Sequence, residues 1–219
     1  MRGKTVRIID SRNLDAVYNL EMEKSFLENG EKESCILFWQ SDNTIVLGRH
    51  QRAESEICMK AAEAEKTRIV QRITGGGAVY QDLGNLNFSI ITDSDGTDDY
   101  RKFLEPVAEY FRGLGVPVTF NGRNDLLARG RKFSGSAQLV RNGRVLHHGT
   151  LLLDSDLDKM DRLLLPHPEK LARSQVVSVR SRVGNLFDYL PEEFRDVEII
   201  RTGLLEHLKK VPFLFNNYK

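Results

Sequence analysis

Cysteine is scarce in this chain. Only Cys35 and Cys58 occur among 219 residues, which excludes a disulfide framework and leaves no paired spacing for zinc. Charge of one sign is also missing: 32 Lys and Arg face 31 Asp and Glu, a net charge of +1. Neither a basic nucleic-acid coat nor an acidic solvating tail fits that balance. The longest purely apolar run is CILFW, residues 35–39, far short of the roughly 20 residues of a membrane span. The opening MRGKTVRIID lacks the apolar stretch of a secretory signal. Repeats, low-complexity segments and Pro/Gly/Ser linkers are absent too. What is present is ordinary: 40% hydrophobic and 29% charged residues, the proportions of a globular chain. Whole-chain disorder and a coiled coil are thereby excluded. The expectation is a cytoplasmic single domain, 1–219, with no nucleic-acid or membrane partner, and a monomer because no long exposed heptad is seen.

Leu14, Val17, Tyr18, Met22 and Phe26 recur at helical spacing, and Asn29-Gly30 is a natural stop. CILFW (35–39) and TIVLG (44–48), separated by Gln-Ser-Asp-Asn, read as a hairpin. Residues 54–66 read as a helix with Ile57, Ala61 and Ala64 along one ridge. Strands are expected at 68–72, 78–80 and 86–92. A helix is expected at about 99–113, with Phe103, Val107 and Phe111 on one face and Pro106 forcing a kink or a late start. SGSAQLV and VLHHGTLLL flank Asn142-Gly143, which suits a two-residue type I′ turn. A short helix at about 156–164 and a longer one at about 192–209 complete the chain. Phe194, Val197, Ile200 or Arg201, Leu204 and Leu208 give the longer one its apolar stripe. Strands outnumber helices and are joined mostly by turns, which argues for an α+β domain with a sheet covered by helices. A doubly wound parallel sheet needs more crossover helices than are available.

Three segments carry the chemistry. In QRITGGGAVYQDLGNLNF (71–88), Gly75, Gly76 and Gly77 lie between two strands. Glycine admits positive φ and close approach of a ligand to the amides, so these amides beside Arg72 could receive phosphate or carboxylate oxygens. Taken alone, three glycines also suit a mobile turn. Neither Gly-x-Gly-x-x-Gly nor a phosphate-loop pattern is present. In GRNDLLARGRKFSGSAQ (122–138), Arg129, Arg131 and Lys132 could bind a polyanion or form a solvated basic turn. Lys132 could set a compact charge beside a developing oxyanion. Asn124-Asp125 could cap a turn or hold a metal or a substrate amide. In LHHGTLLLDSDLDKM (146–160), His147 and His148 are adjacent on a strand, so they face opposite ways and cannot share a metal. The unbulged turn register pairs 140 with 145 and puts His147 on the face of Lys132, whereas a single bulge would substitute His148. No Gly-x-Ser-x-Gly elbow is present. Cys35 and Cys58 sit in apolar strand and helix patterns, where thiols are usually buried and inert.

In this order, these segments resemble the lipoate–protein ligase A family. That family shares its fold with biotin protein ligases and, more distantly, with class II aminoacyl-tRNA synthetases. The resemblance rests on Arg72-Ile73-Thr74-Gly75-Gly76-Gly77-Ala78-Val79-Tyr80 and its continuation Asp82-Leu83-Gly84-Asn85. Gly122-Arg123-Asn124-Asp125, Arg131-Lys132-Phe133-Ser134-Gly135-Ser136-Ala137 and His147-His148-Gly149-Thr150-Leu151-Leu152 follow. Ser178-Val179-Arg180-Ser181-Arg182-Val183-x-Asn185 and, upstream, Leu47-Gly48-Arg49 complete it over about residues 30–190. It implies a mixed, mostly antiparallel sheet flanked by helices and a two-step acyl activation. Lipoate (or octanoate) and Mg2+-ATP would give lipoyl-AMP, which would then acylate a lysine of a carrier domain. The carriers implied are the lipoyl domains of 2-oxoacid dehydrogenase complexes and the glycine-cleavage H protein. By position, Lys132 would be catalytic. Arg72 and the amides of Gly75, Gly76 and Gly77 would hold the phosphate, and Ala78, Val79 and Tyr80 would line the adenosine side. Asn85, Asn124, Asp125 and Ser136 would bind substrate or nucleotide, with Mg2+ at Asp125. The family motif favours His148 in the site, which against the simple register implies a bulge between 132 and 148.

This chain departs from the family pattern at Gln71 and Gln81, where many members carry Arg and His. It also stops at Lys219, so the expectation is a catalytic domain without the family's C-terminal accessory domain. A separate accessory-domain protein is therefore a further implied partner. The alternatives are the large subunit of a split ligase, an ATP-independent lipoyl or octanoyl transferase, and a non-catalytic lipoyl-adenylate binder. The transferase would need Cys35, Cys58 or direct attack. Biotin ligation fits less well, because biotin enzymes carry a differently spaced Gly-Arg-Gly motif.

Overall fold

The computed structural model describes residues 6–29, 33–97, 99–122, 124–164 and 182–211. Ten strands appear among them: β1 (Val6–Asp10), β2 (Ser34–Trp39), β3 (Thr44–Leu47), β4 (Arg68–Gln71), β5 (Val79–Gln81), β6 (Asn85–Asp93), β7 (Val118–Asn121), β8 (Asp125–Ala128), β9 (Arg131–Arg141) and β10 (Arg144–Leu152). Seven form one sheet in the order β1-β2-β6-β10-β9-β8-β7, in which only β1 and β2 run parallel. A second sheet, β4-β3-β5, combines one parallel and one antiparallel pair. The helices are α1 (Ala16–Glu28), α2 (Ala53–Glu56), α3 (Met59–Ala64), α4 (Tyr100–Gly113), α5 (Leu157–Leu163) and α6 (Val197–Leu208). The expected α+β class, a mixed and mostly antiparallel sheet flanked by helices, is what the chain adopts.

The central strands β2, β6 and β10 alternate, and each face of the sheet takes a different cover. Ile36 and Phe38 of β2, with Leu86, Phe88 and Ile90 of β6, enter the main core with Phe103, Val107 and Phe111 of α4 and Ile200, Leu204 and Leu208 of α6. Burial of each large apolar side chain contributes roughly 1.5–3 kcal/mol. The other face of β2 presents Cys35, Leu37 and Trp39 toward α1. Beyond α1, the small sheet packs Ile45, Leu47 and Tyr80 against Ile57, Ala62, Met160 and Leu163. On this second face β6 carries the buried polar residues Asn87 and Ser89, which mark where the packing gives way to a cavity.

Several sequence expectations are upheld, among them the strands near 68–72, 78–80 and 86–92 and the helix capped by Asp99, whose carboxylate accepts from the Arg101 amide. That helix runs unbroken past Pro106, so the late start does not occur. The Asn142-Gly143 turn has φ of 52° and 73°, as a type I′ turn requires, and Val140 pairs with Val145. Three expectations need correction. The 35–39 and 44–48 runs do not form a hairpin, because β2 is flanked by β1 and β6 and β3 crosses to the small sheet. Asn43, at φ 43°, and Ser41, bonded to the Gln81 side chain, turn the chain between them. The 54–66 helix breaks at Ile57, which leaves helical geometry to bridge Leu164, while the Cys58 amide donates to the Leu163 carbonyl. The longer C-terminal helix begins at Val197, after a 3-10 turn at Glu192–Phe194.

The face of α1 also departs from its apolar spacing. Leu14, Val17 and Tyr18 are 44–53% exposed, and the buried face is Ala16, Asn19, Glu23 and Leu27. Internal hydrogen bonds decide this orientation. Asn19 accepts from Ser11 and donates to the Asn13 and Asp15 carbonyls, and Glu23 finds three partners described below.

Gly84 lies where the link after β10 returns across the start of β6. A Cβ there would stand 2.1 Å from the Asp154 carbonyl oxygen and 2.6 Å from the Ser155 nitrogen, both backbone atoms. Gly84→Ala should destabilise the fold by about 1–3 kcal/mol, as overpacking does, read as a lowered urea midpoint with an unchanged m-value.

Candidate active site

A cavity opens between the second face of the large sheet, α1 and the loop joining β4 to β5. Leu20, Trp39, Val46 and Ala137 give it an apolar wall. Arg72, Gly76, Gly77, Asn124, Lys132 and His148 give it a polar one, and Ala78, Val79 and Ser136 also reach the lining. Of the residues expected from sequence, Gly75, Tyr80, Asn85 and Asp125 lie outside it. The Tyr80 ring is buried in the small-sheet core. Asn85 stands one residue behind, its amide donating to the Asn87 side chain. Asp125 sits beside the cavity, 2.8 Å from the Lys132 ammonium.

The glycine-rich loop is organised by Arg72. Its Nη2 donates to the Gly75 and Gly77 carbonyls at 2.8 and 2.9 Å, Nη1 to the Val46 carbonyl at 3.0 Å, and Nε to Thr74 Oγ1 at 3.1 Å. Gly76 has φ 97°, open to glycine at little cost. Gly48 lies so close that a Cβ would meet the Gly76 carbonyl oxygen at 2.0 Å. Arg72 is 8% exposed, and burial brings its pKa down to about 10, so it stays charged at neutral pH. Three of its five N–H groups thus shape the loop, and a fourth ties it to β3.

Sequence reasoning passed over Glu23. This carboxylate is 1% exposed. It accepts from Ser89 Oγ and from Trp39 Nε1 at 3.2 Å, and it lies 2.8 Å from His148 Nδ1. His148 Nε2 in turn lies 2.7 Å from Thr74 Oγ1. A proton on Nδ1 satisfies every member of this chain, with the Thr74 hydroxyl donating to Nε2 and accepting from Arg72. The constellation resembles a nucleophile–base–acid set, but Thr74 is fully buried and its hydroxyl is already bonded on both sides. It is a brace from α1 through β10 to the glycine loop. Glu23 is one of three acids in α1, with Glu21 and Glu28, and nothing in the sequence set it apart from them. Asn87 was also missed; its side-chain amide bonds to that of Gln81, one of the two departures from the family pattern, at the cavity wall.

The two histidines separate as their adjacency requires. His148 lines the cavity, while His147 enters the core, stacked 4.9 Å from the Phe103 ring. Lys132 nevertheless shares the face of His148, because β9 bulges. Leu126 pairs with Ser134 but Leu127 pairs with Lys132, leaving Phe133 as the extra residue. From Ser134 onward β9 pairs with β10 without interruption. The bulge expected between 132 and 148 therefore exists, and it lies next to Lys132. The ammonium lies over Gly135, where a Cβ would meet Lys132 Nζ at 2.8 Å.

Neither cysteine lines the cavity. Cys35 is fully buried, and burial pushes its thiol up to about 12; Cys58 precedes α3. Arg123 and Ser178–Ser181 of the expected motifs lie outside the described residues. Among the described residues, no group of three His, Cys, Asp or Glu side chains is arranged to hold a metal ion. An apolar slot ending at an ammonium, an asparagine and glycine amides suits a short apolar acid whose carboxylate is joined to a phosphate.

The chain belongs to the lipoyl protein ligase A/B catalytic domain family, whose model matches residues 15–209. It is 39% identical over 204 residues to lipoate-protein ligase LplJ of Bacillus subtilis, covering 91% of this chain and 61% of that protein. It is 38% identical over 206 residues to lipoate–protein ligase 1 of Staphylococcus aureus, covering 90% and 62%. The chain thus spans about six-tenths of the length of these curated relatives. Among solved structures, the bi-partite lipoate protein ligase of Thermoplasma acidophilum is 26% identical with a TM-score of 0.83, over 96% of this chain and 84% of that one. A lipoate-protein ligase A bound with ATP shares the fold at TM-score 0.81 and 24% identity, over 97% and 86%.

Burial holds the His147 pKa down at about 3, with the neighbouring His148 adding to the effect. The unfolded chain binds a proton at this histidine near pH 6.5 and the folded chain does not. Stability is therefore whole above pH 6.5 and falls as pH drops from there toward 3, by about 1.4 kcal/mol per pH unit within that window. His147→Phe should remove this slope, measured by urea unfolding at pH 7, 6 and 5. An equally steep loss in the variant would place the acid sensitivity elsewhere.

Proposed function

We propose that the protein attaches lipoate, or octanoate, to a specific lysine of lipoyl carrier domains through a lipoyl-AMP intermediate made from ATP. The observation that carries this reading is the Lys132 ammonium at the polar end of an apolar cavity, faced by the glycine-rich loop. The acyl chain would lie against Leu20, Trp39 and Val46, with its carboxylate toward Lys132. In the first step a carboxylate oxygen bonds to the α-phosphorus and pyrophosphate leaves. In the second the carrier lysine amine bonds to the carbonyl carbon, the C–O bond to AMP breaks, and the amine loses a proton. Both steps build negative charge on oxygen, and a fixed ammonium is worth most where that charge develops.

The loop amides of Gly76 and Gly77 would receive phosphate oxygens, Ala78 and Val79 would border the adenosine, and Asn124 would meet the polar end. Arg72 would act chiefly by holding that loop in shape. Mg2+ is commonly held by one or two carboxylates together with nucleotide phosphates. Asp125, beside Lys132, is the carboxylate suited to that role, and the ion would neutralise phosphate charge. The carriers would be lipoyl domains of 2-oxoacid dehydrogenase complexes and the glycine-cleavage H protein. A cytoplasmic setting fits ATP use and two unpaired thiols.

A second reading is favoured by the chain's likeness to a bi-partite ligase. Here the chain is the large subunit of a split ligase, transferring from lipoyl-AMP by itself but needing a separate accessory-domain protein for activation. Transfer through a cysteine has less support, since neither thiol reaches the cavity.

The decisive measurement is the intact mass of an apo lipoyl domain after incubation with the protein, lipoate and Mg2+-ATP, and separately with preformed lipoyl-AMP. Lipoylation in both arms supports the complete ligase, and in the second alone the split ligase. No lipoylation in either overturns the enzymatic reading. Lys132→Ala should slow transfer by on the order of a thousandfold while leaving the unfolding midpoint in place.

A further inference from the structure

Lys132 stands at an awkward point of the sheet. On one side its strand pairs with Leu127 of β8. On the other, β10 has already ended its pairing at Leu151 with Ser134, so the bulged end of β9 lacks its hairpin partner. A different segment takes that place. The Lys132 amide donates to the Arg182 carbonyl at 2.8 Å, and the Gly184 amide donates to the Lys132 carbonyl at 3.0 Å. This forms a parallel bridge between Lys132 and Val183. Gly184 fits closely: a Cβ there would lie 3.0 Å from Arg131 Cδ.

The bridging segment has an anchor just beyond Gly184. Asn185 supplies one with both ends of its amide, Nδ2 donating to the Ser155 carbonyl at 2.9 Å and Oδ1 accepting from the Ser155 amide at 3.1 Å. The link that Asn185 grips is itself seated by the Leu153 and Asp154 amides, which both donate to the Gly84 carbonyl.

We infer that Asn185 is a positioning residue for Lys132: it anchors the Arg182–Gly184 segment, which holds the lysine backbone on the side β10 has left. This rests on the reading of Lys132 given above. Aiming an ammonium matters because a displacement of about 1 Å at a reacting group can cost on the order of a hundredfold in rate. Loss of the anchor leaves the Lys132 side chain intact and loosens only its direction.

The test joins two readouts on Asn185→Ala and on Asn185→Asp, which keeps the size but cannot donate to the Ser155 carbonyl. The first is amide hydrogen exchange. The Lys132 and Gly184 amides should exchange at least about tenfold faster, while those of Phe38 and Ile90 in the central strands stay as in the wild type. The second is single-turnover transfer from preformed lipoyl-AMP to an apo lipoyl domain. It should slow about ten- to a hundredfold, with the half-saturating carrier concentration unchanged. Unchanged exchange at Lys132, a uniform rise across the core, or wild-type transfer despite an opened Lys132 amide would each overturn the inference. Failure of the functional reading shows separately, as a Lys132→Ala variant that transfers as fast as the wild type.

Discussion

A carboxylate with no access to water needs every lone pair answered from inside the protein, and the buried Glu23 imposes that demand on three parts of the fold at once. Ser89 binds it from β6, Trp39 from β2 and His148 from β10. Because Glu23 must point inward, α1 turns Leu14, Val17 and Tyr18 to solvent. Because His148 must meet Glu23, its other nitrogen is delivered to Thr74, whose hydroxyl also accepts from Arg72. The shape of the glycine-rich loop is therefore coupled by hydrogen bonds to a helix some fifty residues earlier in the chain. Such networks stiffen a site when each member is satisfied. Here the stiffened element is the wall facing the candidate phosphate position.

A second constraint places the reacting charge. The strict two-residue alternation of a strand would put Lys132 on the face of His147, inside the aromatic core. One extra residue, Phe133, reverses this. Phe133 keeps its ring in the main core, and the lysine before it swings onto the cavity side. Bulges re-aim single side chains in this way without disturbing the sheet around them. The cost is a strand end that no longer matches its hairpin partner, which the Arg182–Gly184 segment makes good.

Much of the architecture could be read from residue patterns, for local reasons. The Asn142-Gly143 turn requires positive φ at both positions and so sets the β9–β10 register. The capped helix at Tyr100–Gly113 shows its three core aromatic and aliphatic residues at helical spacing. The motifs around Arg72, Lys132 and His148 converge on one cavity, and the bulge followed from setting the turn register against the family resemblance, which favours His148. The misreadings also share a cause. CILFW and TIVLG have the composition and spacing of a hairpin, but whether two neighbouring strands pair depends on which edges other strands occupy, and β1 and β6 had taken both edges of β2. Residues 54–66 have helical composition throughout, yet Ile57 leaves the helix to bridge Leu164, a partner about a hundred residues away that local pattern does not reveal.

Local chemistry was enough to assign the class of fold, the turn that registers the central hairpin and the segments rich in candidate binding groups. Those depend on backbone torsions, on periodicity and on side-chain functional groups, all of which act over a few residues. Tertiary packing decided the rest: which face of α1 is buried, that Glu23 and Thr74 belong to the site, and that Tyr80 and Asn85 stand behind it. It also decided that Arg72 spends most of its donors on its own loop. Each of these outcomes turns on hydrogen-bond partners brought together from distant parts of the chain, and a buried polar atom takes its orientation from whichever partner can reach it.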